Sequence, residues 1–176
     1  MKIVTISGLA QHGKDTTASI IKYRFESEGK KVLVIHYADY LKFIAEKYYG
    51  WDGSKDAKGR ELLQQLGTNK ARKRSPDIWV NVVMEFVKAF GEDFNYVLIP
   101  DTRFPNEIEV PTKMGYEVFS MWIHRKDFDN GLTPDQKNHP SETSLLDFPF
   151  RCVISVESKM EKLVDAVNKM IDIYSI

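Results

Sequence analysis

Gly8, Gly13 and Lys14 stand at the spacing that lets a backbone loop hold a phosphate. The stretch from Gly8 to Asp15 reads GLAQHGKD. Glycine at both ends lets the loop turn several N–H groups inward on one anion, with Ala10, Gln11 and His12 between them. A lysine directly after the second glycine sets a mobile cation over the outer phosphates. Two glycines and a lysine at fixed spacing arise by chance in about 5% of chains this long, given ordinary glycine and lysine usage. The flanks therefore carry the weight. Ile3, Val4 and Ile6, with Thr5 and Ser7 interleaved, read as a buried strand ahead of the loop. A helical pattern opens near Lys14 and aims its positive end at the same point.

The residue after such a lysine usually carries a hydroxyl that ligates magnesium. Here it is Asp15, followed by Thr16 and Thr17. A carboxylate is a hard oxygen ligand able to hold magnesium directly or through water. Thr16 or Thr17 could supply the hydroxyl instead, and Asp15 could simply favour the helix N-terminus. All three readings stay open. A second acid, Asp101, follows the apolar run Tyr96 to Pro100, an arrangement that places a carboxylate near magnesium. Arg103, two residues on, could reach a phosphate.

Other candidates sit where a parallel sheet gathers its ligands, beyond the carboxyl ends of strands. Asp39 and Lys42 in YADYLK follow a second strand over Val32 to His36, and Asp39 also stands where a helix N-cap belongs. Arg60 and Gln64 share a flank of a short helix over Lys58 to Leu66, which Gly67 is expected to stop. Lys70 to Arg74 puts four cations in five positions. That run reads as a solvated loop, as a phosphate clamp through one or two arginines, or as a nucleic-acid patch. From His124 to Glu142 the chain is polar, with Gly131, Pro134 and Pro140. A stretch of that length inside a domain is usually functional or disordered. Arg125 and Lys126 at its base suit a lid over phosphates, and His139, Ser141 and Glu142 form its far edge. A general-base role for His139 is the weaker reading, because phosphoryl transfer leans on positioning and charge.

The elements that must position these groups alternate. A helix from about Lys14 to Glu28 between two buried strands makes a βαβ unit, hence a parallel pair with a right-handed crossover. Ser75 is expected to cap a strong helix with Pro76 at its first position. Ile78, Val82, Phe86 and Phe90 form one stripe, widened by Trp79, Val83 and Val87, and all are read as core. Further strands are expected over Tyr116 to Ile123 and Val153 to Val156. Ser158 and Glu161 read as a capping box for a last helix, with Leu163, Val164, Val167, Met170 and Ile171 inward.

At 176 residues the chain suits one domain with a full core. Its formal net charge is zero, which argues against binding a nucleic-acid polymer or a membrane by bulk charge. The single cysteine, Cys152, precludes an internal disulfide and fits a reducing, intracellular setting. No run reaches membrane-spanning length.

Taken in order, GLAQHGKDT, YADYLK, GRELLQQLGT with Arg72, SPDIWV, IPDTRFPNE and HPSE resemble the deoxynucleoside monophosphate kinases of bacteriophages, within the nucleoside monophosphate kinase-like P-loop group. The resemblance covers nearly the whole chain, and an aspartate after the loop lysine is similar to that family's own variant. It implies an α/β P-loop three-layer sandwich, with a five-stranded parallel sheet flanked by helices. It also implies a single domain with a monophosphate-binding arm over about 38–75 and a lid over 125–142. It implies ATP as donor, Mg2+ as cofactor and a deoxynucleoside 5′-monophosphate as acceptor. On that reading ATP meets Gly8 and Ala10 through Thr17, and Lys14, Asp15, Arg103 and Arg125 serve the transfer. Asp39, Lys42, Arg60, Gln64, Arg72, Arg103 and Glu142 face the acceptor, and Asp15 and Asp101 are partners for magnesium. A cytoplasmic protein is expected, in the host cytoplasm for a viral chain. A homodimer is compatible with the family, and no stretch here establishes one. The rival readings are a P-loop kinase for dephospho-coenzyme A or phosphomevalonate, and a nucleotide-binding regulator without turnover.

Overall fold

The computed structural model of the protein describes residues 1–54 and 56–176; position 55, inside the arm expected over 38–75, lies outside them. The β-branched run after Met1 forms β1 (Lys2–Ser7). The other strands are β2 (Val32–Val34), β3 (Tyr96–Thr102), β4 (Glu117–Arg125) and β5 (Cys152–Val156). All pair parallel, in the order β2-β3-β1-β4-β5, so β1 is central. Along β4 the register runs without a break from Lys2↔Glu117 to Ser7↔Trp122. Along β3 it slips between Thr5 and Ser7, where the chain leaves the sheet for the glycine loop.

Helices cover both faces. α1 (Lys14–Ser27) and the C-terminal α8 (Met160–Tyr174) pack on one, where Ile21, Phe25, Val167 and Met170 meet Val4, Ile6 and Phe119. α2 (Asp39–Tyr49), α3 (Ala57–Gln64) and α4 (Ile78–Phe90) lie on the other, where Leu41, Ala45, Trp79 and Val83 meet Ile3, Val97 and Ile99. α5 (Asn106–Lys113) follows β3. Two short helices, α6 (Pro134–Asn138) and α7 (Pro140–Thr143), lie between β4 and β5. This is the expected three-layer sandwich with a five-stranded parallel sheet. No helix among the described residues is long and apolar enough to cross a membrane.

Several local expectations are corrected. Gly67 does not stop the third helix. The chain runs from α3 into a π-helical stretch, Gln65–Arg72, and stays helical to Arg74, so Lys70 to Arg74 is not a loop. Gly67 is instead a contact residue: a Cβ there would come within 2.6 Å of Leu41 Cδ2. Asp39 is not an N-cap, because its carboxylate accepts the His36 N–H at 3.0 Å and the helix begins at Asp39 itself. Ser75 does not cap α4, which starts at Ile78 after a turn, with no side-chain cap. Nor do Ser158 and Glu161 form a capping box; Ser158 Oγ takes Arg125 Nε at 3.1 Å instead.

The α4 stripe is rotated from the one expected. Trp79, Val80, Val83, Met84 and Val87 are buried, whereas Val82, Phe86 and Phe90 are exposed. Both sets repeat at helical spacing, so periodicity alone could not rank them; packing on Ile3, Val97 and Ile99 did. Met84→Ala should therefore cost about 3 kcal/mol in urea unfolding. Phe90→Ala should cost no more than about 0.5 kcal/mol. The reverse order would return the core to the other face.

Candidate functional site

β1 delivers the chain to Gly8, whose φ of +151° lies in the left-handed half of the map. A Cβ at that position would lie 2.5 Å from the Ile123 carbonyl oxygen, so the loop can hug β4 only with glycine there. Gln11 and Gly13 are also left-handed, at φ 64° and 92°. This backbone turns the loop over the start of α1, whose first-turn N–H groups have no partner within the helix. Lys14 folds back into the same loop: its Nζ donates to the Gly8 carbonyl at 3.0 Å and to the Leu9 carbonyl at 2.8 Å. Burial, and then the neighbouring Arg103, push its pKa down to about 7.

His12 turns inward rather than toward a ligand. It is buried, and its Nδ1 accepts the Arg125 backbone N–H at 3.0 Å. Burial and the nearby His124 lower its pKa to about 4, so the ring is neutral and acts as a strut between the loop and β4. Arg125 lies on the same side. Its guanidinium stacks 3.6 Å from the Phe128 ring centroid and donates to the Gln11 carbonyl at 3.3 Å. Thr17 is buried with its hydroxyl donated to the Gly13 carbonyl at 2.9 Å.

The end of β3 and the segment after it organise the opposite wall. Asp101 accepts two backbone N–H groups, Tyr37 through Oδ1 and Ala38 through Oδ2, both at 2.9 Å, and so pins the turn after β2. Glu107, only 2% exposed, does more. Its Oε1 takes Arg72 Nη2, while its Oε2 takes the N–H groups of Arg103 at 2.5 Å and Phe104 at 3.1 Å. Arg72 is clamped further by the Pro76 carbonyl at 3.1 Å and by the Phe104 ring, 4.1 Å from its guanidinium carbon. Burial pushes the Glu107 carboxyl up to about 7, against the pull of Arg72 and the two N–H groups. Three donors aimed at two oxygens make the ionised form the one this pocket is built around.

These parts meet around a cavity of about 380 Å³. Ala10, Gln11, Lys14 and Asp15 line it from the loop, Lys42, Arg60, Gln64 and Arg72 from α2, α3 and the π-helical stretch, and Asp101, Arg103 and Glu142 from the far wall. The structure thus gathers most of the residues singled out from sequence. Asp39, Arg125, His12, Gly8, Gly13, Thr16 and Thr17 do not line the cavity. A second hollow of about 410 Å³, beside Trp51 and Leu62, has neither the glycine loop nor an arginine in its described wall.

Two participants escaped the sequence reading. His36, just past β2, sits with Nε2 3.1 Å from Asp15 Oδ1 and Nδ1 3.5 Å from Asp39 Oδ2. Its hydrogen bond to Asp15 raises its pKa. Glu107 reads from sequence as an acid in the first turn of a helix, and nothing in its spacing points to Arg72, 35 positions away. Magnesium suits the donor set. It is held by one or two carboxylates plus substrate phosphates and water. Asp15 and Asp101 line the cavity with Lys14, and each Asp101 oxygen that receives one N–H keeps a further lone pair. Among the described residues no group of three or more His, Cys, Asp or Glu is placed to hold a metal ion by itself.

Two measurements follow. Glu107→Gln leaves Arg72 buried with its partner charge removed and should lower unfolding stability by about 3 kcal/mol; a change below about 0.5 kcal/mol would show the pair to be idle. The depressed Lys14 pKa gives a signed pH effect. Its folded value, about 7, lies below the free value of 10.5, so the charged form opposes folding below pH 7. That opposition is relieved as pH rises from 7 towards 10.5, where the unfolded chain binds more protons. An anion seated beside Lys14 restores its proton. Calorimetry of ADP binding at about pH 8.5, in buffers of different ionisation enthalpy, should therefore show net proton uptake. No uptake would place Lys14 away from the phosphates.

No family model matches the chain, and no curated protein does. Solved structures do. The APS kinase CysC of Mycobacterium tuberculosis, in complex with AMPPNP and APS, is 12% identical with a TM-score of 0.52, over 99% of this chain and 98% of that one. A sugar kinase from Janibacter sp. HTCC2649, unliganded, is 13% identical with a TM-score of 0.57, over 98% of this chain and 95% of that one. At such identity the likeness speaks for the fold alone: the chain shares the α/β architecture of these two solved structures over nearly its full length.

Proposed function

We propose that the protein transfers the γ-phosphoryl group of ATP to a deoxynucleoside 5′-monophosphate. One observation carries this reading. A single cavity has the glycine loop and Lys14 on one side and Arg60, Gln64 and Arg72 of the arm on the other. Two anions do not approach each other unaided, and cations on both sides of the gap are what the approach requires. The fold shared with kinases of small acceptors supports the reaction type.

In this mechanism the loop amides and Lys14 bind the donor's outer phosphates. Lys14 is close to half charged at neutral pH and becomes fully charged as the phosphates arrive. Arg103 and Arg72 face the acceptor phosphate and hold it in line. Gln64, with one donor and one acceptor group, suits a base edge, and Arg60 and Lys42 suit the sugar-phosphate. Bound magnesium, partnered by Asp15 and Asp101, would neutralise charge between the donor's terminal phosphates. The segment 125–142 acts as the lid, excluding water so that transfer outruns hydrolysis. Arg125 serves through the loop, holding the Gln11 carbonyl and the base of the lid.

The test is a coupled assay with ATP, magnesium and each deoxynucleoside monophosphate in turn. Dephospho-coenzyme A, phosphomevalonate, adenosine phosphosulfate and free sugars complete the acceptor panel. Diphosphate formation from at least one deoxynucleotide is expected, and product only from another acceptor would move the assignment there. Lys14→Met should remove most turnover, about 100-fold or more, while the protein stays folded by circular dichroism. Full turnover in that variant would take the glycine loop out of the reaction.

A further inference from the structure

The glycine loop already holds a carboxylate. Glu142, in α7 at the far edge of the lid, reaches back across 132 positions, and its Oε2 accepts the Ala10 N–H at 2.9 Å. Its Oε1 accepts Arg103 Nη1 at 2.8 Å. The same Arg103 nitrogen donates to the Gly8 carbonyl at 3.2 Å and the Ser141 carbonyl at 3.3 Å, so lid, loop and arginine are knotted at one point. Glu142 is buried, and both of its oxygens take donors that would equally serve a phosphate oxygen. One of those donors is a backbone N–H of the loop itself.

We infer that Glu142 holds a substrate-phosphate seat in the ligand-free protein, so that a nucleotide phosphate enters by displacing it and thereby releases Arg103. This rests on the reading of the loop as a nucleotide site and adds its order of events. Two anions cannot share the Ala10 N–H and the adjoining Lys14. An arriving phosphate therefore competes with the carboxylate directly. Once Glu142 leaves, Arg103 loses its counter-charge and becomes available to the second phosphate. Donor binding then prepares the acceptor side, a coupling between two sites carried by one ion pair.

The lid is built for an exchange of this kind. Away from its base, where Arg125 meets His12 and the Gln11 carbonyl, its ties to the loop include the Gln11 Nε2 donation to the Asn130 carbonyl at 3.0 Å and the Glu142 contact. The present arrangement also leaves His139 Nε2 buried with no partner, three residues from Glu142, while its Nδ1 faces the Ser141 backbone N–H at 3.2 Å. An unsatisfied buried nitrogen opposes the seated state. An isolated structural ion pair would require neither the loop amide nor a lid.

The experiment is calorimetric titration of ADP and of inorganic pyrophosphate into the wild-type protein, Glu142→Gln and Glu142→Ala, with a thermal melt of each. Both variants should bind both probes more tightly, by about fivefold or more, since a competing anion has been removed. Equal or weaker binding by folded variants overturns the inference and leaves the kinase reading standing. No binding of either probe by any of the three proteins removes both. Should the variants fail to fold, a crystal structure of the wild-type protein with ADP still decides. Glu142 hydrogen-bonded to Ala10 beside seated phosphates overturns the inference, and Glu142 displaced, with Arg103 turned toward the cavity, supports it.

Discussion

Positive charge and unpaired N–H groups converge at the carboxyl edge of this sheet without enough anion to meet them. Lys14, Arg72 and Arg103 are all partly or fully buried there, beside a loop of left-handed backbone and the open first turn of a helix. Buried cations without partners are costly, and each such group must find a carboxylate, a carbonyl or a ligand. Most of the site's architecture follows from how this is done. Lys14 turns onto two loop carbonyls, while burial and the neighbouring Arg103 lower its pKa. Arg72 finds Glu107, and Arg103 finds Glu142.

The two carboxylates differ in what surrounds them. Glu107 lies in the core of the wall, with a guanidinium and two backbone N–H groups on it. It holds the turn after β3 in shape. Glu142 sits in α7, and the groups it touches are a loop amide and a guanidinium. One carboxylate is thus tied to the backbone of the wall and the other to the backbone of the glycine loop. The same division runs through the aspartates. Asp101 anchors the Tyr37 and Ala38 amides, whereas Asp15 meets His36 at the mouth of the cavity.

Departures from regular structure also cluster at this edge. The register of β1 on β3 slips where the loop begins, and Gln11 is left-handed without being glycine. The helix after Gln64 widens into π geometry for Gln65–Arg72, bringing Gly67 against Leu41 and presenting Gly67's carbonyl to Trp79 Nε1 at 3.0 Å. Its last residue is Arg72. A regular α-helix through the same sequence would carry Arg72 to a different angle around the axis and away from Glu107. Irregular backbone at a site is where a chain most often sets local order aside for function.

What the amino-acid order determined by itself is local and periodic. The alternation of β-branched strands with helices, the glycine loop between Ile6 and Lys14, the acids and arginines after β3 and the polar stretch before β5 are all legible along the chain. Each depends on residues within a turn or a strand of one another. The order of the strands, which face of α4 is buried, and the passage of helix through Gly67 were decided by packing, because two helical stripes of similar polarity differ only in what they meet. The pairing of Arg72 with Glu107 and of Ala10 with Glu142 was likewise beyond the sequence. Those contacts span 35 and 132 positions, and a charge selects its partner by distance in space, which exists only once the sheet has brought its strand ends together.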